Sequence, residues 1–179
     1  MERDQCEQKA QEIRAKFNPE NLSPFPYENI QKENKDLSVD FFPFDGESTK
    51  NLSGAITFDE GSSHYNIYIN TARPQTRQYF TVAHELGHYF LHKIEIQDEG
   101  IIVDAEFFDG GRALFRIDDA ASKRIETEAN HFAAALIMPA DLVTKAWEEL
   151  KSVEECARVF NVSVSAMSIR LERLKLIPV

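Results

Sequence analysis

The stretch FTVAHELGHYFLH places His84 and His88 four positions apart, with Glu85 between them. Apolar residues around these histidines recur at intervals of three and four, which is the period of a helix with one buried face: Tyr79, Val82, Ala83, Leu86 and Phe90. This pattern predicts an amphipathic helix over residues 74–92. The two histidines lie opposite the apolar stripe, so they face either solvent or a cleft.

The four-residue spacing of His84 and His88 has a chemical use. Side chains at positions i and i+4 stand on neighbouring helical turns, so two imidazole nitrogens can meet one Zn²⁺. The glutamate between them, Glu85, can take a proton from water at such a metal. A chance H-E-x-x-H is expected on the order of once in a hundred chains of this composition. We therefore interpret the segment as a metal site with a catalytic base, in preference to a surface helix with two incidental histidines.

Catalytic zinc sites usually have three protein ligands, so a third one is needed. Leu91 and Ile94 stand where the metzincin pattern requires Gly and His. His92 is excluded as well, because three histidines at i, i+4 and i+8 extend over about 12 Å of helix axis. The third ligand must come from another helix.

A second helix, predicted over residues 122–137, carries two acidic candidates, Glu126 and Glu128. A carboxylate from either would complete a His, His, Glu site of the thermolysin type. Each lies about 80° from the centre of the apolar stripe of this helix, on opposite flanks. Helical geometry therefore leaves the two candidates open.

The rest of the chain predicts an α+β protein of 179 residues. A helix over residues 2–17 and a short one near 27–35 precede three β-like runs, LSVDFFPF, LSGAITFD and YNIYIN, with a turn-rich EGSSH between the last two. We expect a small mixed or antiparallel sheet of about three strands, the histidine helix, and then a helical C-terminal half. Residues 94–121 are acidic and difficult to assign: they form either a lid over 95–120 or an ordinary hairpin with a turn at 109–111.

Composition limits the location and the partners. The net charge of −10 argues against wrapping nucleic acid by charge alone. No run approaches the ~18–20 apolar residues that span a bilayer, and the first twenty residues are too charged for a signal peptide. The two cysteines, Cys6 and Cys156, are expected to be reduced thiols. We expect a cytoplasmic protein that makes no membrane contact.

The C-terminal residues 152–179 look like two short helices around a turn, with Ser163 as an N-cap. A DNA-binding regulator is therefore the alternative hypothesis. However, the second helix offers apolar side chains where a recognition helix presents polar ones: Met167, Ile169, Leu171 and Leu174. We favour a packed helical subdomain that completes a single domain over residues 1–179.

Three stretches together resemble the ImmA/IrrE family of bacterial zinc metallo-endopeptidases: RQYFTVAHELGHYFLH, ETEANHFAAALIMP and ARVFNVSVSAMSIRLERLKLI. The resemblance implies a small gluzincin-like fold in which His84 and His88 bind Zn²⁺ and Glu85 is the catalytic base. The family pattern has its glutamate directly before Ala-Asn, which selects Glu128 as the third ligand. Thermolysin-like spacing to an Asn four residues on would instead favour Glu126 with Asn130.

The resemblance also implies a protein substrate, namely a helix-turn-helix repressor that is cleaved or inactivated to release transcription. Direct nucleic-acid binding is not expected. Tyr65, Tyr89 and His131 are candidates for stabilising the oxyanion, although no spacing selects among them. We expect the substrate to lie along YNIYIN as an added strand.

Overall fold

A four-stranded mixed sheet forms one side of the molecule in a computed structural model, which describes residues 1–47, 49–103 and 119–178. The strands found there are β1 (Leu37–Phe42), β2 (Gly54–Asp59), β3 (His64–Asn70) and β4 (Ile101–Val103), in the order β1-β3-β2-β4. β3 runs parallel to β1 and antiparallel to β2, and β2 is antiparallel to β4. The mixed sheet and the hairpin at EGSSH are thus confirmed, with one short strand more than expected.

The described residues also form eight helices: α1 (Arg3–Phe17), α2 (Glu28–Glu33), α3 (Gln75–Leu91), α4 (Lys93–Glu99), α5 (Asp119–Ile137), α6 (Ala140–Leu150), α7 (Val153–Phe160) and α8 (Val164–Arg173). The α+β prediction is confirmed, including the helical C-terminal half. Ser163 is the N-cap of α8 and accepts a hydrogen bond from the backbone of Ala166. No helix in the described part of the chain combines the length and apolar character needed to cross a membrane.

The difficult region begins with regular structure. Residues 93–99 form α4, which ends at Gly100 in the left-handed conformation, and β4 follows directly. The hypothesis of a lid over residues 95–120 is therefore wrong for residues 95–103, because α4 and β4 are part of the framework of helices and sheet. The proposed turn at 109–111 lies outside the described residues.

Helix α3 lies between the sheet and α5 and contacts both. Its predicted apolar stripe is buried, apart from the half-buried Phe90. The alternation in β3 is also as predicted, with Ile67 and Ile69 fully buried. Gly87 allows the two helices to approach closely, because a Cβ there would lie 3.1 Å from the Cα and carbonyl oxygen of Ala129. This contact sets how near the histidines come to α5.

Two buried arginines connect distant parts of the chain. Arg14 of α1 donates hydrogen bonds to the carbonyl oxygens of Leu22 and Leu136, the latter in the last turn of α5. Arg170 of α8 donates to the carbonyl oxygen of Met138 and pairs with Glu7 at 2.7 Å. The N-terminal helix, the end of α5 and the C-terminal helix are therefore held together by charge-assisted hydrogen bonds.

Candidate metal centre

The donor atoms of His84, His88 and Glu126 converge on one point, with the three atoms within 4.8 Å of one another. The two Nε2 atoms are 3.1 Å apart, and the Glu126 carboxylate oxygens lie 3.2 Å from His84 Nε2 and 3.3 Å from His88 Nε2. Ligands about 2.0–2.1 Å from a tetrahedral ion would be roughly 3.3 Å apart. The observed spacing therefore fits a small tetrahedral metal ion.

The local structure explains this convergence. The two histidines point the same way from neighbouring turns of α3, and the Gly87–Ala129 contact brings α5 close enough for a glutamate side chain to reach both. All three metal-site candidates are buried, with exposed fractions of 2% for His84, 0% for His88 and 6% for Glu126. The histidines thus face the buried interface between α3 and α5, and not solvent.

The selection of Glu128 is not supported by the structure, because this side chain points away from the donor cluster. Its carboxylate accepts from His92 Nε2 at 2.9 Å and from Arg124 at 3.0 and 3.1 Å, and it also contacts the amino group of Met1. Glu126 lies on the other flank of α5, towards His84 and His88. The rotation of α5 about its own axis determines which glutamate faces His84 and His88. This rotation cannot be read from the sequence of α5 alone.

Both histidines also use their Nδ1 atoms. His84 Nδ1 lies 3.1 Å from Asn130 Oδ1, and Asn130 is one turn after Glu126 on the same flank. His88 Nδ1 lies 3.0 Å from His92 Nδ1. Sequence reasoning gave His92 no role, although its i+4 spacing from His88 was the available signal.

Burial and charge act in opposite directions at this site. Burial lowers the pKa of His88 to about 4, against the opposing effect of Glu126. Burial alone would raise the pKa of Glu126, but hydrogen bonds and charge from His84 and His88 reverse this and hold it well below its usual range. A neutral His88 imidazole beside an ionised carboxylate is a combination of protonation states that favours binding of a metal cation.

Glu85 is completely buried between α3 and the start of β2. A Cβ on Gly54 would lie 3.0 Å from Glu85 Oε1 and 2.5 Å from Thr81 Cγ2. Glycine at position 54 therefore lets the sheet approach α3 at the residue that follows His84. Any larger side chain there would displace Glu85 or Thr81.

A cleft of about 550 Å³ lies between α3, α5 and α8. Asn130, which contacts His84, forms part of its wall, and Phe80 and Met138 supply apolar surface. Three arginines also line it: Arg77, Arg170 and Arg173. His84, His88 and Glu126 do not line the cleft, so it offers space for a chain segment that is connected to the metal-site candidates through Asn130.

The three oxyanion candidates differ in position. The Tyr89 hydroxyl donates to Asp36 at 2.9 Å, and the Tyr65 hydroxyl accepts from Gln97 at 2.8 Å. These two rings pack edge to face, with centroids 5.2 Å apart, so they serve the core. His131 lines the cleft and stays a candidate.

Two histidines on one helix, a carboxylate from a second helix and a buried glutamate within the H-E-x-x-H sequence together form a candidate metal site of the metallopeptidase type on an α+β fold. The sequence profile of the Peptidase_M78 family, described as the IrrE N-terminal-like domain, matches residues 32–172. The chain belongs to this family.

Similar proteins carry related names. The radiation response metalloprotease IrrE of Deinococcus radiodurans is 31% identical over 120 residues, which cover 65% of this chain and 33% of that protein. The metallopeptidase ImmA of Bacillus subtilis is 27% identical over 68% of this chain and 64% of its own length. The match thus spans about a third of the first relative and somewhat under two thirds of the second.

A solved structure supports the fold. A Mycobacterium tuberculosis transcriptional regulator superimposes with a TM-score of 0.62 over 94% of this chain and 46% of that one. Sequence identity is 14%, so this likeness concerns the fold alone.

Proposed function

We propose that the chain is a zinc-dependent endopeptidase, a hydrolase of peptide bonds. The convergence of His84, His88 and Glu126 is the observation that carries the proposal. Two imidazoles and one carboxylate are a donor set typical of catalytic zinc, which keeps its fourth position for water or substrate. Membership in a peptidase family and relatives named as metallopeptidases support the same function.

His84, His88 and Glu126 would hold the ion, and Glu85 would act as general base. When bound, zinc supplies Lewis acidity, which polarises a scissile carbonyl and makes water acidic enough to ionise near neutral pH. Glu85 takes the proton from the attacking water and then gives it to the leaving amine, so the carboxylate is regenerated in each cycle. The close approach of β2 at Gly54 holds Glu85 in place for this transfer.

The route of the substrate differs from the sequence-based hypothesis. β3, the YNIYIN strand, pairs with β1 on one side and β2 on the other, so its backbone has no free edge for an added strand. The cleft between α3, α5 and α8 adjoins the donor cluster through Asn130. We infer that the polypeptide enters along this cleft, where Arg77 and Arg173 favour an acidic or carbonyl-rich segment.

The natural substrate would be a protein, and we propose a helix-turn-helix repressor in the bacterial cytoplasm. The family resemblance is the basis for this choice. The chain would act as one domain over residues 1–179, with 152–179 as a helical subdomain. The link from Arg170 to Glu7 and to the Met138 carbonyl supports this organisation.

The alternative, a DNA- or protein-binding regulatory module with a non-proteolytic metal site, has less support. In α8, Met167 and Leu171 are buried, and Arg170 is buried against Glu7. These side chains are committed to packing and cannot reach base edges. An intact Glu85 within the H-E-x-x-H sequence also favours catalysis.

The metal site is tested by elemental analysis of the purified protein after zinc reconstitution. Wild type should hold close to one zinc per chain, and His88→Ala should hold almost none, because it loses one of three ligands. His64→Ala is the matched control, since His64 lies at the start of β3 outside the donor cluster. A wild-type protein that retains no zinc would contradict the proposal.

Proteolysis is tested with the wild type and Glu85→Gln. Both should bind zinc, but only the wild type should generate new N-termini in a purified helix-turn-helix repressor, detected by mass spectrometry. The loss of rate in Glu85→Gln should be at least about 100-fold, which is the low end for a general base. Equal cleavage by both proteins would exclude Glu85 as the base and point to a contaminating protease.

A further inference from the structure

Resting on the proposed metal site, we propose that His92 and Glu128 form a positioning pair, which holds His88 in the tautomer whose Nε2 lone pair faces the metal. The contacts form a continuous series. Glu128 Oε2 lies 2.9 Å from His92 Nε2, and His92 Nδ1 lies 3.0 Å from His88 Nδ1. His88 Nε2 is then the atom that faces His84 and Glu126.

The direction of each hydrogen bond in the series follows from the Glu128 carboxylate at its end. An ionised carboxylate can only accept, so His92 Nε2 must donate to Glu128. A neutral imidazole has one N–H, and this leaves His92 Nδ1 as an acceptor. His88 Nδ1 therefore donates to His92, and its remaining nitrogen, Nε2, carries the lone pair that a metal ligand needs.

The opposite arrangement would block the site. If His92 carried its proton on Nδ1, its Nε2 lone pair would face the Glu128 carboxylate, and His88 Nδ1 would have to accept. The proton of His88 would then lie on Nε2 and point at Glu126 and His84. Metal binding would require expulsion of that proton from a buried site.

Burial makes this series of hydrogen bonds selective for one tautomer of His88. His92 and Glu128 are only 1% and 3% exposed, so water does not readily substitute for either partner. Arg124 anchors the far end through two contacts with the Glu128 carboxylate, at 3.0 and 3.1 Å. A buried donor or acceptor without its partner is costly, and this cost penalises the wrong tautomer.

The test uses Glu128→Leu, Glu128→Gln and His92→Phe, with zinc affinity measured by chelator competition. Removing the acceptor in Glu128→Leu, or the bridging ring in His92→Phe, should weaken zinc binding by about 10–100-fold, as for other partners of metal-binding histidines. Glu128→Gln keeps an acceptor oxygen, so it should stay within about threefold of wild type.

Glu95→Gln is the matched control. Glu95 contacts the same arginine, with 3.3 Å between its Oε1 and Arg124, and its charge acts on His92 through space, but among the described residues it makes no hydrogen bond to His92 or His88. This variant should bind zinc like the wild type. A loss as large as that of Glu128→Leu would mean that surface charge, and not hydrogen bonding to His92, is responsible, and would overturn the proposal.

The decisive readout is the tautomer, measured by long-range ¹H–¹⁵N NMR of the histidine rings in the metal-free and zinc-loaded protein. His88 should be protonated on Nδ1 and His92 on Nε2 in wild type and Glu128→Gln, whereas Glu128→Leu should show a mixture for His88. A His88 ring protonated on Nε2 in metal-free wild type, or an unchanged tautomer in Glu128→Leu, would overturn the pair. Because this readout needs no metal, it separates failure of the pair from failure of the proposed zinc enzyme.

Discussion

The two flanks of α5 present the same chemical group to α3 with different results. Glu126 and Glu128 are two residues apart and both are buried; Glu126 lies beside two histidines of α3, and Glu128 lies beside His92, which directly follows α3. Glu126 faces two imidazole Nε2 atoms, which could bind a cation together with it. Glu128 faces one imidazole and a guanidinium, which hold its carboxylate by hydrogen bonds. The neighbours of a buried carboxylate, rather than its burial or its place in a motif, therefore determine whether it is suited to bind a metal or to orient a ligand.

The largest expected difference is between Glu126→Ala and Glu128→Ala. Glu126→Ala should weaken zinc binding roughly a thousandfold, because one of three ligands carries about a third of a typical zinc binding free energy of ~12 kcal/mol. Glu128→Ala should weaken it by no more than about 100-fold, through the orientation of His88. Chelator competition measures both, and a larger loss in Glu128→Ala would reverse the assignment of the two flanks.

Gly87→Ala should affect both flanks together. Helix propensity alone would favour alanine by about 1 kcal/mol, but the new Cβ would lie 3.1 Å from the backbone of Ala129, which cannot move aside without moving α5. We expect a net loss of about 1–3 kcal/mol in the free energy of unfolding. Denaturant unfolding measures it.

Zinc affinity of Gly87→Ala should also fall by about 100-fold, since the donor spacing widens. Gly61→Ala, in an exposed turn, is the control and should change neither quantity. A Gly87→Ala protein more stable than wild type would show that the close contact between α3 and α5 does not exclude a larger side chain at position 87.

Asn130→Ala tests the Glu126 flank alone. It removes the acceptor 3.1 Å from His84 Nδ1, so His84 loses the partner that orients it, and zinc affinity should fall about tenfold. Thr127→Ala, an exposed position on the same helix, should have no effect. The two substitutions are compared in the same competition assay, and equal affinities would remove Asn130 from the site.

The smallest effect concerns pH in the metal-free protein. Burial lowers the pKa of His88 from 6.5 to about 4, and burial also lowers that of His92. The unfolded chain therefore binds more protons than the folded one between these values, so stability present above pH 6.5 is lost progressively as the pH falls towards 4. Denaturant midpoints across this range measure the loss.

A His92→Gln variant should show a shallower decline, because one of the two buried imidazoles is gone. If stability declined equally with falling pH in both proteins, the pH dependence would come from the groups beside Glu126 and not from His92.

The sequence predicts the site well where the information is local. The i, i+4 spacing of the histidines and the apolar stripe of α3 depend on one helix only, and the structure brings His84 and His88 together as the spacing indicates. The alternation in β3 and the N-cap Ser163 are local in the same sense. For these elements the residue pattern and the observed structure agree.

The third metal-site candidate depends on two helices, and there the family motif selected Glu128, whereas the donor atom that converges with those of His84 and His88 belongs to Glu126. Helical periodicity gives the angle of Glu126 and Glu128 relative to their own core stripe, but not which flank faces α3. The useful signal was the Asn130 side chain four residues after Glu126, because a partner for His84 must share the flank of the ligand. The sequence of β3 also does not indicate that this strand pairs on both sides, since strand order is a property of the whole sheet.

The arginine contacts of α1 also bear on how the chain folds during synthesis. Arg14 bonds to a carbonyl 122 residues later, and Glu7 pairs with an arginine 163 residues later. Contacts of such high sequence separation slow folding, because the intervening chain must close a long loop first. On the ribosome, α1 would emerge long before α5, with its apolar side chains still without the surface on which they pack. We expect the nascent chain to pass through a period in which this helix is exposed to chaperones, and its docking to be among the last steps of folding.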